Sequence, residues 1–134
     1  MATTLKYGFG KTVRLPYEAA VERTRAALAD QGFGVLTEIN VRDTLKRKLD
    51  VDFRPYVILG ACNPPLAYQA LTAEIDIGLL LPCNVIVYQG DDENSSIVEA
   101  LDPVAALSLT GRHDIEDLAS DVKGRLEKVI DALP

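Results

Sequence analysis

The chain has 134 residues, of which 48% are apolar, and a formal net charge of −6 at pH 7. That is enough for one compact domain, 1–134, with a real core. The charge is too acidic in bulk to favour nucleic acid or an anionic membrane. No apolar run approaches the ~20 residues of a membrane span, and Met1-Ala2-Thr3-Thr4 begins no apolar signal run. The expectation is a cytoplasmic protein with neither nucleic acid nor membrane as a partner.

From the N-terminus, Leu5, Tyr7 and Phe9 alternate with Lys6 and Lys11, and Val13 and Leu15 resume the pattern. This predicts a strand over 5–15, with Gly8 and Gly10 as places to bend. Pro16 opens a helix whose inner face is Tyr17, Ala20, Val21, Thr24, Ala27 and Leu28, and Gly32 is a left-handed cap. Phe33, Val35 and Leu36 begin a second strand that ends near Ile39. Asn40 suits the N-cap of a short helix with Val41, Leu45 and Leu49 on one face. Arg42, Lys46, Arg47 and Lys48 cover much of the remainder, which reads as a solvated amphipathic helix rather than an anion site.

Residues 56–61 form a continuous apolar run and hence a buried strand; Pro64 and Pro65 stop it and start a helix containing Ala67, Ala70, Leu71 and Ala73. Asp76 and Gly78 interrupt the next apolar stretch, 75–81, whose state periodicity does not decide. Residues 85–88 are a strand, 90–94 an acidic turn, and 96–101 a returning strand, completing a hairpin. Ile115, Leu118, Ala119, Val122, Leu126, Val129, Ile130 and Leu133 repeat with helical spacing over five turns. Asp114, Glu116 and Asp117 load the start of that helix, which suits its dipole. Gly124 weakens its interior unless it permits close packing. Helices 16–31 and 114–133 each carry an apolar stripe, so both are predicted to cover one face of an antiparallel sheet.

The only two cysteines stand in Cys62-Asn63-Pro64 and Pro82-Cys83-Asn84, each where an apolar strand meets a break. A thiol is a soft nucleophile and a metal ligand. Three readings compete. The cysteines are small buried apolar residues, with asparagines capping and prolines stopping strands. Or they line a ligand pocket. Or they form a redox or soft-metal pair. A closed zinc site needs four ligands, and the chain supplies two cysteines and one histidine, His113, so no metal is expected. His113, just before the acid-rich last helix, reads as an exposed loop residue. No dinucleotide, phosphate-loop or calcium-loop signature is present, and no catalytic residue or cofactor is assigned. The candidate ligand-binding residues are Cys62, Asn63, Pro64, Cys83 and Asn84.

Strand topology decides what the thiols can do. Antiparallel pairing of 57–62 with 83–88 brings the two cysteines to one end of the sheet; a parallel pair separates them by roughly 20 Å. Within the antiparallel case, directly opposed thiols share a face, while a one-residue slip sends them to opposite faces.

The segments Leu59-Gly60-Ala61-Cys62-Asn63-Pro64 and Ile77-Gly78-Leu79-Leu80-Leu81-Pro82-Cys83-Asn84-Val85, with Thr44-Leu45, Lys48-Leu49 and Val51-Asp52-Phe53 as lead-in, resemble the bacterial and archaeal family called domain of unknown function 302. The resemblance spans nearly the whole chain. It implies an α+β fold of the TATA-binding-protein-like type: strand, helix, four-stranded antiparallel meander and C-terminal helix, with four to five strands, inserted short helices and helices packed on one face. It favours the antiparallel arrangement of the cysteine strands and implies no activity.

The leading expectation is a small-ligand binding domain with its pocket at the two cysteine segments. The alternative is a non-catalytic homodimeric interaction module, since hairpin 85–101, taken as a sheet edge, and the 75–81 stretch need cover. A thiol redox or soft-metal protein is the third.

Overall fold

A computed structural model describes residues 2–134. Six strands form one sheet: β1 (Ala2–Thr4), β2 (Gly8–Val13), β3 (Gly34–Asn40), β4 (Tyr56–Cys62), β5 (Cys83–Gln89) and β6 (Ser96–Leu101). Their order is β1-β2-β6-β5-β4-β3, and every pair is antiparallel. Three helices fall between strands, α1 (Tyr17–Asp30), α2 (Val41–Leu49) and α3 (Pro64–Ala73), and two follow the last strand, α4 (Pro103–Leu107) and α5 (Glu116–Asp131), with 3-10 turns at Ile75–Leu80 and Ser108–Thr110.

The sheet therefore has six strands rather than four to five. The addition is β1, which folds back on β2 through a turn closed by the Leu5 N–H donating to Gly8 O at 2.7 Å. Three residues are too few to show alternation, and this turn also shortens the strand expected over 5–15. Gly8 and Gly10 serve close approach rather than bending. A Cβ on Gly8 would lie 2.9 Å from Ala100 O and one on Gly10 2.0 Å from Val98 O, so β2 and β6 pair only because those positions have no side chain. The hairpin β5–β6 lies at the centre of the sheet, not at its edge; the edges are β1 and β3.

Strand parity sorts the side chains. On one face lie Val57, Leu59 and Ala61 of β4, Val87, Val85 and Cys83 of β5, and Val98 and Ala100 of β6 in matching register, all buried. Helices α1 and α5 cover this face with Ala20, Ala27, Leu28, Val122, Leu126, Val129 and Ile130, as their apolar stripes predict. Burying such side chains contributes roughly 1.5–3 kcal/mol each for the larger ones. Lys11 reaches from β2 to donate to Leu133 O, tying the end of α5 to the sheet.

The helix ends follow the sequence signals. The Asn40 side chain accepts from Asp43 N at 3.0 Å and caps α2, and Gly32 adopts φ +83° beyond α1. α5 begins at Glu116, later than the acidic run suggests. α2 forms as expected yet buries none of its residues, so Val41, Leu45 and Leu49 are an amphipathic face without a core behind it. The undecided stretch 75–81 is largely the first 3-10 turn, with Ile77 as its buried anchor. No helix among the described residues is long and apolar enough to cross a membrane.

Gly124 does not serve close packing: a Cβ there meets nothing within 4 Å. Gly124→Ala is therefore expected to stabilise the fold by about 0.5–1 kcal/mol. Urea denaturation checks this, and a loss of stability would show that the α5 surface is occupied.

Candidate functional site

Antiparallel pairing of β4 with β5 brings the two cysteine segments to one end of the sheet, and the register decides their relation. Cys83 lies opposite Ala61, and Cys62 opposite Gly34 of β3. This is the one-residue slip, so the thiols leave the ladder towards opposite faces. Both are free thiols. Cys83 is buried against the α1/α5 core. Cys62, the last residue of β4, is half-buried on the other side.

Beyond this strand end is a cavity of about 330 Å³. It lies at the seam between two apolar clusters. The main core supplies Phe33, Ala61, Leu66, Cys83 and Val122, and a smaller cluster under α3, α4 and α5 supplies Ala70 and Leu107, with Leu71, Leu80 and Leu81 packed against it. Leu118 packs against both clusters. Cys62, Thr37 and Leu101 line the cavity from the outer side of the strand ends, so it wraps around the end of the sheet and meets both cysteines. No charged side chain lines it.

Two walls of the cavity start in the same way. Asn63 accepts from Leu66 N at 3.3 Å, and Pro64 takes the first position of α3. Asp102 accepts from Val104 N at 2.9 Å and Ala105 N at 3.3 Å, and Pro103 takes the first position of α4. In each case an Asx-Pro pair at a strand end satisfies orphan helix donors and supplies a φ already suited to a helix. The second Asx-Pro pair is the signal that sequence reasoning missed, and with it α4. Lys123 of α5 donates to the Asp102 carboxylate at 2.9 Å, pinning α4 to α5. Burial works against the charge on Asp102, but the hydrogen bond from Lys123 and the two backbone donors outweigh it and hold its pKa low.

Of the five residues singled out in the sequence, Cys62, Asn63 and Cys83 line the cavity and two do not. Pro64 is exposed at the helix start. Asn84 is exposed on the opposite side of the ladder, across from Gly60. His113 does not line the cavity; its side chain is 91% exposed and pairs with Glu116. Among the described residues no three His, Cys, Asp or Glu side chains gather as metal ligands would.

Burial pushes the Cys83 thiol up to about 11, and the neighbouring Cys62 adds to the effect. Cys83 is thus a neutral thiol at physiological pH and a poor nucleophile. With the thiols on opposite faces, this geometry gives no support to a shared disulfide or metal.

The family model for the domain of unknown function DUF302 matches residues 9–133. The chain belongs to this family. The crystal structure of an uncharacterized conserved DUF302 protein from Bacillus stearothermophilus matches the fold with a TM-score of 0.87 at 28% sequence identity, covering 96% of this chain and 98% of that one. No curated protein matches the chain. The cavity is therefore described on a DUF302 domain, a family whose description assigns no activity.

Two outcomes test the site's chemistry. Native protein treated with a maleimide is expected to label Cys62 at least tenfold faster than Cys83, with the fast phase lost in Cys62→Ser; equal rates would contradict the burial of Cys83. The second follows from proton linkage. Folding disfavours the Cys83 thiolate, so the unfolded chain releases that proton first. The associated stability is intact below about pH 9 and is lost as pH rises from about 9 towards 11. Between pH 8.5 and 10 the wild type is expected to lose about 1 kcal/mol more than Cys83→Ala; parallel pH profiles would refute the shift. The raised phenols of Tyr17, Tyr56 and Tyr88 are common to both proteins and cancel.

Proposed function

We propose that this DUF302 domain binds a small, uncharged, apolar molecule in the cavity at the end of its sheet. The observation that carries the reading is the cavity's composition. A preformed space of about 330 Å³ is at the lower end of small-molecule sites. Its wall is almost wholly aliphatic, apart from Phe33 and a few small polar groups at Thr37, Cys62, Asn63 and Cys83. With no cationic or anionic lining, burying a charged group inside is heavily penalised. At ~30 Å³ per water-sized group the space holds on the order of ten non-hydrogen atoms.

Burial of that many carbons gives roughly 8 kcal/mol before association costs of at least about 4 kcal/mol, so a dissociation constant of about 1 mM is expected for a well-fitting ligand. Asn63 is committed to capping α3 through its side-chain oxygen; its role here is chiefly to fix the wall. Cys62 offers the accessible thiol, a soft contact for the ligand. Nothing in the geometry calls for a covalent step, so the reading is binding rather than catalysis. The expected TATA-binding-protein-like character of the fold adds no nucleic-acid role, because fold does not carry function and the chain is acidic.

The test uses two probes of the same shape. 1-Naphthol is uncharged near neutral pH and 1-naphthoate is anionic. Calorimetry is expected to show saturable binding of naphthol and at least tenfold weaker binding of naphthoate. Ala106→Phe and, from the facing wall, Ala67→Phe are each expected to fill the cavity and abolish naphthol binding in a folded protein. No saturable binding by the wild type, or undiminished binding by both folded variants, would sink the proposal.

A further inference from the structure

The side chains that bring polar atoms to the cavity wall are Thr37, Cys62, Asn63 and Cys83, and they are not equivalent. The two thiols are weak donors and weak acceptors. Thr37 is exposed, with its hydroxyl over Gly60 at the rim, and a hydroxyl serves either role. Asn63 is only 8% exposed, and the two ends of its amide have separate fates. The oxygen accepts from Leu66 N at 3.3 Å, which is the one hydrogen bond of this side chain among the described residues. That bond fixes which end of the amide is which and leaves the nitrogen, with its two N–H donors, without a partner. No enclosed side-chain nitrogen or oxygen among the described residues lacks a partner, so this nitrogen is not sealed in the protein. The open space that Asn63 borders is the cavity. Gly32 keeps the amide uncovered, since a Cβ there would come within 3.0 Å of Asn63 Nδ2.

The backbone donors nearby are already spent. Pro64 and Pro65 give the start of α3 no N–H. Leu66 N bonds to the Asn63 side chain, and Ala67 N to Asn63 O at 2.9 Å. α4 begins alike: Pro103 has no N–H, the Asp102 carboxylate takes Val104 N and Ala105 N, and Asp102 O takes Ala106 N at 3.0 Å. Two helices start beside the cavity, and neither offers the free N–H groups on which anions are held. A carboxylate would meet a single neutral donor in an apolar wall, too little to offset its desolvation. A neutral oxygen needs no more than that one donor.

We propose that Asn63 is the specificity-determining residue of this cavity and that its ligand is an uncharged carbonyl compound with an apolar body, such as a ketone or an ester. The inference rests on the binding reading above and adds the ligand's one polar group to it. The carbonyl oxygen accepts from Asn63 Nδ2, and the hydrocarbon portion lies against the aliphatic wall of Leu66, Leu71 and Leu118. Cap and ligand use opposite ends of one side chain, so the bond that starts α3 also aims the donor. A donor selects acceptors: a hydrocarbon of the same shape leaves the amide unpaired. One neutral hydrogen bond of this kind corresponds to about two- to tenfold in affinity.

Two probes of one shape test the proposal. Acetophenone carries a carbonyl oxygen, and α-methylstyrene has a methylene group in its place. NMR titration of the isotope-labelled full chain reads both the affinities and the Asn63 side-chain amide, whose signals are assigned by their loss in Asn63→Ser. Both probes are expected to bind the wild type, with acetophenone moving the Asn63 amide protons further downfield than α-methylstyrene does. Asn63→Ser and Asn63→Asp each keep an oxygen for the α3 cap and lose the amide donor. In both, the affinity for acetophenone relative to α-methylstyrene is expected to fall at least threefold, with circular dichroism showing the fold intact. Amide signals that respond alike to the two probes, or a relative affinity that both variants leave unchanged, would overturn the role of Asn63 and leave the apolar cavity standing. If neither probe binds the wild type, the cavity reading itself falls, and this inference with it.

Discussion

The antiparallel register of β4 against β5 is the constraint on which the rest depends. Setting Ala61 opposite Cys83 and Leu59 opposite Val85 puts Val57, Leu59, Val85 and Val87 under α1 and α5, and Tyr56, Ile58, Ile86 and Tyr88 on the opposite face. A shift of β4 by one residue would turn its side chains over relative to β5. It would place Ile58 under the helices and Leu59 on the opposite side. The same register makes one cysteine inert and buried and leaves the other half-open, so chemistry and packing at the sheet's end share one cause.

A sheet covered on a single face cannot enclose its own ends, and this chain closes one end with separate pieces. α3, the 3-10 turn Ile75–Leu80 and α4 build a second, smaller core beside the main one. The two cores meet imperfectly, and the cavity is that seam. Its walls are held by polar devices at their starts, Asn63 on α3 and Asp102 with Lys123 on α4, while the interior stays free of charge. Rigid polar caps around an apolar space are what a preformed binding site needs.

Much of this was legible in the chain. The strands around Leu59 and Val85, both long helices, the Asn40 and Asn63 caps and the closeness of the two cysteine segments all follow from periodicity, capping chemistry and the resemblance at residues 59–64 and 77–85. What was not legible has physical reasons. β1 is three residues long, too short for alternation to register. α4 is five residues long and announces itself only by Asp102-Pro103. The slip between Cys62 and Cys83 is a matter of register, which two equally apolar strands do not encode in composition. The cavity wall is made of leucines and alanines whose periodicity reads as core, and only the meeting of two clusters leaves a space between them. Asn84 follows a cysteine as Asn63 does, but it lies within β5 at the parity opposite to Cys83, and so faces away.

The account's central claim is that the end of this sheet holds a preformed apolar cavity, and diffraction from crystals under xenon pressure tests it most directly. Xenon enters dry apolar cavities without needing a specific partner. The account predicts a xenon peak bounded by Cys83, Leu66 and Leu118. A xenon-free site in which α4 and the 3-10 turn have closed onto Leu66, leaving no space for the atom, would contradict it.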